Sequence, residues 1–123
     1  MNDDILKTIK TENYIWILYI FIIILCFYAN NQEVKYYKYN DQIAKEKYYY
    51  SNLIVFSLVF IVYLYFFISS LNSVSKLDSN SSKEKVFYER LNLLGTSFIL
   101  IAGFIFLYIA ITDTNLETEI AFN

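Results

Sequence analysis

The chain has 123 residues, 57% of them hydrophobic and 18% charged, with a formal net charge of −2, no Pro, no His, two Gly and one Cys. Soluble domains carry about a quarter charged residues; what remains is a membrane protein or an unusually apolar helical bundle, with a disordered chain, a disulfide scaffold, a zinc finger and His-dependent nucleophilic catalysis excluded. Ile, Tyr, Phe, Asn and Lys supply half of the residues and share AT-rich codons, so their positions say more than their totals.

The first element opens with Asn2-Asp3-Asp4, which suits a helix N-terminus because acidic groups there complement the helix dipole. Ile5, Leu6 and Ile9 form a short amphipathic lead-in, continuous with the following helix or lying on a membrane surface. No charged side chain falls between residues 13 and 32. That length meets the roughly 20 apolar residues needed to cross about 30 Å of hydrocarbon. Lys7 and Lys10 followed by Ile15–Cys26 has the outline of a signal peptide. Its exit, Phe27-Tyr28-Ala29-Asn30, lacks the paired small residues of a cleavage site, and the segment is read as an uncleaved anchor. Cys26, with no second cysteine to pair with, is read as an apolar packing residue.

Lys35-Tyr36-Tyr37-Lys38-Tyr39 interleaves cations and rings as nucleic-acid readers do. It lies between two apolar windows, however, and reads as a headgroup-level stretch with no nucleic-acid partner. Asn40-Asp41 starts the second element, whose charge-free window runs over 48–71 and on to Ser75. Tyr48, Tyr49 and Tyr50 mark its interfacial end, as Tyr14, Trp16 and Tyr19 mark one end of the first window. Asn52, Phe56, Val59, Tyr63, Phe66 and Ser70 follow a 4-3-4-3-4 spacing that forms one seam. Asn52, Tyr63 and Ser70 are its polar members, and polar groups in lipid find partners on neighbouring helices.

Residues 72–81, rich in Ser and Asn, read as a flexible loop. Ser81-Ser82-Lys83-Glu84 contains the S-x-x-E capping box, starting the third element near Ser82. Its window covers 91–112 and holds both glycines. At 100° per residue, Asn92, Gly95, Thr96, Ile99, Ala102, Gly103, Phe106 and Ala110 share one stripe. Small residues recurring at spacing seven favour close, left-handed helix crossing. Gly95, Thr96, Ala102, Gly103 and Ala110, with Asn52, Tyr63 and Ser70, are therefore the candidate helix-packing interface. A hairpin of the last two windows predicts a Tyr63 hydroxyl contact near Thr96 and Ser97. The tail, 113–123, carries Asp113, Glu117 and Glu119 and no Lys or Arg.

Alternating barrel patterns are absent from these windows, and buried strands are shorter and bounded by turn residues. The expected fold is all-α: a three-transmembrane-helix integral membrane protein, a small helical bundle whose helices extend beyond the bilayer, in one membrane domain over 1–123. Six Lys/Arg on the side of the N-terminus and the 72–90 loop face four on the other, which favours a cytoplasmic N-terminus and an outside C-terminus. No Asp, Glu, Lys, Arg or His lies inside a window, where such groups mark ion paths and substrate pockets. No phosphate-binding glycine motif is present. Glu84 and Glu89, or Glu117 and Glu119, sit in solvated flanks. The reading is thus a non-enzymatic accessory or structural membrane component, without cofactor, metal or small-molecule substrate. Its partners are the lipid bilayer and either its own copies or a larger membrane complex. The alternative is a pore: size and three spans resemble one class of holins, which keep a basic C-terminal tail inside, whereas this tail is acidic.

Overall fold

The computed structural model describes residues 2–118 and Ile120; Glu119 and residues 121–123 of the acidic tail, and Met1, lie outside the described residues. The described residues form three helices: α1 (Asn2–Tyr39), α2 (Gln42–Ser75) and α3 (Lys83–Thr112). No strand occurs among the described residues. All three are long and apolar enough to cross a membrane. At 1.5 Å per residue their 38, 34 and 30 residues reach about 57, 51 and 45 Å. No Pro interrupts them, and the two glycines both lie in α3, so nothing in the backbone chemistry stops them short. The Ile5–Ile9 lead-in is part of α1 and not a separate element.

The boundaries have local causes. Asn40 adopts a left-handed conformation (φ 51°), which Asn tolerates better than most residues, and this ends α1. Asp41 then caps α2: its Oδ1 accepts from the backbone N–H of Ile43 (3.0 Å) and Ala44 (3.2 Å). Only two residues separate the helices, as expected for antiparallel neighbours.

The second break is shorter than its Ser/Asn composition predicts, because α2 continues to Ser75. Residues 76–82 fold around Asp78, whose carboxylate accepts from the Asn80 N–H and the Ser81 hydroxyl. The expected capping box does not form. Ser82, not Ser81, is the N-cap, accepting from the Lys85 N–H at 3.1 Å. The position that would reciprocate is therefore occupied by Lys85, while the Ser81 hydroxyl accepts from the Asp78 N–H. At the far end Asp113 stops α3, its N–H bonding the Ile109 carbonyl at 2.8 Å. Its carboxylate accepts from the N–H groups of Glu117 and Thr118.

The chain divides into two compact units, one reaching to Val55 and the other running from Phe56 to Ile120. In the first, α1 turns Leu25, Ala29, Gln32 and Tyr36 inward at alternating spacings of four and three. That is the period of a knobs-into-holes seam. The first turns of α2 contribute Ala44, Tyr48, Ser51 and Val55, all buried, at the same spacing. Near the turn, the Lys45 ammonium lies 5.3 Å from the centre of the Tyr36 ring. The second unit is a helical hairpin, built from the rest of α2 and α3.

Candidate functional site

The hairpin of the second unit contains most of the residues singled out for packing. Its register follows from four contacts. The Asn92 side-chain amide donates to the Ser70 hydroxyl at 3.1 Å. The Tyr63 ring lies against Gly103. Phe60 and Phe104 meet with ring centres 6.4 Å apart, and Phe56 and Phe106 at 6.2 Å. Each step back along α2 is matched by a step forward along α3, so the helices run antiparallel.

Gly103 marks the closest approach. A Cβ placed there would stand 2.8 Å from Tyr63 Cδ2 and 3.6 Å from Phe60 Cδ2. Only glycine leaves room for the tyrosine ring at this depth. Gly95, two turns earlier, has nothing within 4 Å of where its Cβ would be. The two glycines share a stripe, yet they have different environments.

The remaining candidates divide along the same line. Ser70 is buried and bonded to Asn92. Ala110 is buried, and Thr96 and Ala102 are half-buried. Asn52 is also buried, but it belongs to the first unit. The inward line of α3 is Leu93, Thr96, Leu100, Gly103, Leu107 and Ala110 at spacings of three and four. It is rotated from the small-residue stripe, which leaves Gly95 and Ile99 exposed and brings Leu100 in. Leucines alternate with Thr96, Gly103 and Ala110 on this seam, so a search for small residues alone locates only half of it.

The expected meeting of Tyr63 with Thr96 and Ser97 does not occur. Both hydroxyls donate to the Leu93 carbonyl of their own helix, at 3.0 and 2.7 Å. Tyr63 lies instead beside Gly103, about two turns further along α3. The depth estimate matched Ser70 with the edge of the third window, near Arg90, whereas Ser70 bonds Asn92 and the Tyr63 ring reaches a further turn along α3, to Gly103.

Two features carried too little sequence signal to be found in advance. One is the α1 seam, whose alternation is hidden because the outward positions are also apolar. The other is an open groove in the first unit, where Tyr28 of α1 faces Ile43, Glu46, Lys47, Tyr50 and Ile54 of α2. Its residues on α2, Ser51 among them, share one helix face, but nothing in the sequence pairs that face with Tyr28. Among the described residues no group of His, Cys, Asp and Glu is arranged to hold a metal ion.

Comparison of the chain with protein-family models, with curated proteins and with solved structures returns no match.

Proposed function

We propose that the chain is a multi-pass integral membrane protein with a structural or accessory role, exerted by packing its helices against its own copies or a larger membrane complex. One observation carries the membrane part. Only 11% of the apolar window of α1, 22% of that of α2 and 11% of that of α3 is buried within the chain. Large side chains such as Trp16, Ile24, Phe98 and Phe104 stand more than half exposed. Monomeric soluble proteins rarely leave contiguous apolar patches beyond a few hundred Å². In hydrocarbon such a surface costs nothing, and the helical backbone satisfies its own polar groups. The helices exceed a core of about 30 Å, so their ends project into the headgroup layers, with the N-terminus cytoplasmic and the C-terminus outside.

The non-enzymatic part rests on the charge-free windows, which offer no ionisable side chain for proton transfer or ion coordination. The association surface is narrower than the full small-residue stripe. Gly103 is occupied by Tyr63 within the chain, whereas Gly95 is open to close approach by another helix, the arrangement that favours helix association in lipid.

Two experiments test this reading. Membranes from expressing cells, washed with alkaline carbonate, retain the protein if it is integral; release into the supernatant overturns the membrane assignment. In a Cys26→Ser background, Gly95→Cys is expected to form disulfide-linked dimers in membranes above an Ile101→Cys control on another face of α3. Equal crosslinking at the two positions removes self-association through Gly95.

A further inference from the structure

The groove of the first unit joins two charged side chains to a deeper lining of Tyr50, Ser51 and Ile54. Its residues on α2, at positions 43, 46, 47, 50, 51 and 54, fall within about 140° at 100° per residue and so share one helix face. Tyr28 of α1 closes the other side. The volume is about 380 Å³, at the lower end of the roughly 300–1,000 Å³ usual for small-ligand sites. That is enough for a headgroup and the upper part of one chain.

Inward from the charged pair the lining becomes largely apolar, while Ile43 lies on the outer side of the pair. Glu46 and Lys47 sit just before the charge-free window that begins at Tyr48. Ile54 lies seven residues inside it, about 10 Å deeper at 1.5 Å per residue. Glu46 and Lys47 form no ion pair with another side chain of the described residues. Each is thus open to an outside partner, and the two have opposite signs.

We infer that this groove binds one phospholipid with a primary-amine zwitterionic headgroup, a phosphatidylethanolamine. Its phosphate sits on Lys47, its ammonium on Glu46, and the start of an acyl chain runs over Tyr50 towards Ile54. A carboxylate beside an ammonium makes charge-assisted hydrogen bonds, for which a primary amine has protons and a choline has none. An anionic lipid without an amine satisfies Lys47 but is repelled by Glu46. The ring of Tyr50, one turn from Glu46, offers a cation–π face to the same ammonium. The inference rests on the membrane reading above and adds a specific occupant to it.

The test is native mass spectrometry of the full chain released from detergent micelles. The protein is mixed with equal concentrations of palmitoyl-oleoyl phosphatidylethanolamine, phosphatidylcholine and phosphatidylglycerol. The wild type is expected to carry one phosphatidylethanolamine at about tenfold the occupancy of either competitor, the scale of one charge-assisted hydrogen bond. Glu46→Gln is expected to abolish the preference over phosphatidylcholine and raise phosphatidylglycerol, while Lys47→Gln lowers all three. Both positions are exposed, so neither substitution disturbs a packed core, and retention in carbonate-washed membranes checks each variant. Protein that stays in the membrane but takes up the three lipids equally, or prefers phosphatidylglycerol, overturns this inference alone. Dimers that displace lipid altogether assign the groove to a second copy. Release by carbonate overturns the membrane reading as well.

Discussion

The contact between Tyr63 and Gly103 supports a test in which the main confounding effect cancels. Replacing glycine by alanine inside a helix ordinarily gains about 1 kcal/mol. At Gly95 nothing opposes that gain, because the space around the new methyl is empty. At Gly103 the methyl would stand 2.8 Å from Tyr63 Cδ2, which is 0.6 Å short of the 3.4 Å where ordinary contact begins. The ring cannot simply swing aside, since Phe60 occupies the adjacent space and itself meets Phe104. Overpacking of this kind costs about 1–3 kcal/mol. Gly95→Ala is therefore expected to be neutral or up to about 1 kcal/mol stabilising. Gly103→Ala is expected to fall about 1–3 kcal/mol below it, because the two substitutions share the propensity gain and differ by the clash. SDS titration of the protein in mixed micelles, read by near-ultraviolet circular dichroism of the aromatic side chains, measures both. Adding Tyr63→Ala removes the obstacle, so Gly103→Ala should cost nothing in that background. Equal stabilities for the two alanine variants, or a Gly103→Ala penalty that survives Tyr63→Ala, would refute the close-approach geometry.

Other expected outcomes address the rest of the structure. Ser70→Ala and Asn92→Leu should each lower hairpin stability by about 0.6–2 kcal/mol, and the double variant should cost little more than either alone in the same SDS titration; full additivity would mean that the two do not interact. Asp41→Ala and Ser82→Ala each remove a helix cap and should cost about 1 kcal/mol, whereas Ser81→Ala, outside the cap, should cost less than Ser82→Ala. Asn40→Val should destabilise by about 1–2 kcal/mol, because a β-branched residue resists the left-handed backbone, and Asn40→Gly should be harmless. For topology, in Cys26→Ser cells an impermeant maleimide should label Thr118→Cys without lysis and Asp4→Cys only after it; the reverse pattern inverts the orientation. Induced expression should leave membrane potential steady, and abrupt depolarisation would point to a pore.

The three helices were legible because charge is so sharply excluded from three windows. That exclusion is a coarse signal, and it located the helix interiors better than their ends. Asp41 was readable as a cap from its residue type. The choice between Ser81 and Ser82 was not, since two adjacent serines offer the same chemistry and only the bonds around Asp78 decide between them. The packing faces were legible in part. On α2 the polar residues Tyr63 and Ser70 stood out against apolar neighbours and do lie on the hairpin seam. On α3 the small residues drew attention to the correct side of the helix. The seam itself is turned so that Leu93, Leu100 and Leu107 share it with Gly103 and Ala110. On α1 apolar side chains point both inward and outward, so the period of the inward line is lost in the sequence. Helix register was out of reach for a different reason: it is set by individual contacts such as Ser70 with Asn92 and Tyr63 with Gly103, which the window edges do not encode.

The two connections between helices differ in a way that bears on manipulation of the protein. Between α1 and α2 there is no slack, as Asn40 and Asp41 are each committed to ending one helix or starting the next. Between α2 and α3 seven residues intervene, and several of their bonds are short-range turns around one aspartate. An epitope, a protease site or a fluorescent domain spliced in at Asn80 lengthens a link whose closure entropy grows only slowly with length. The same insert at residue 40 or 41 would force two helix ends apart. The protein thus has one connection suited to carrying added cargo and one that is closed to it.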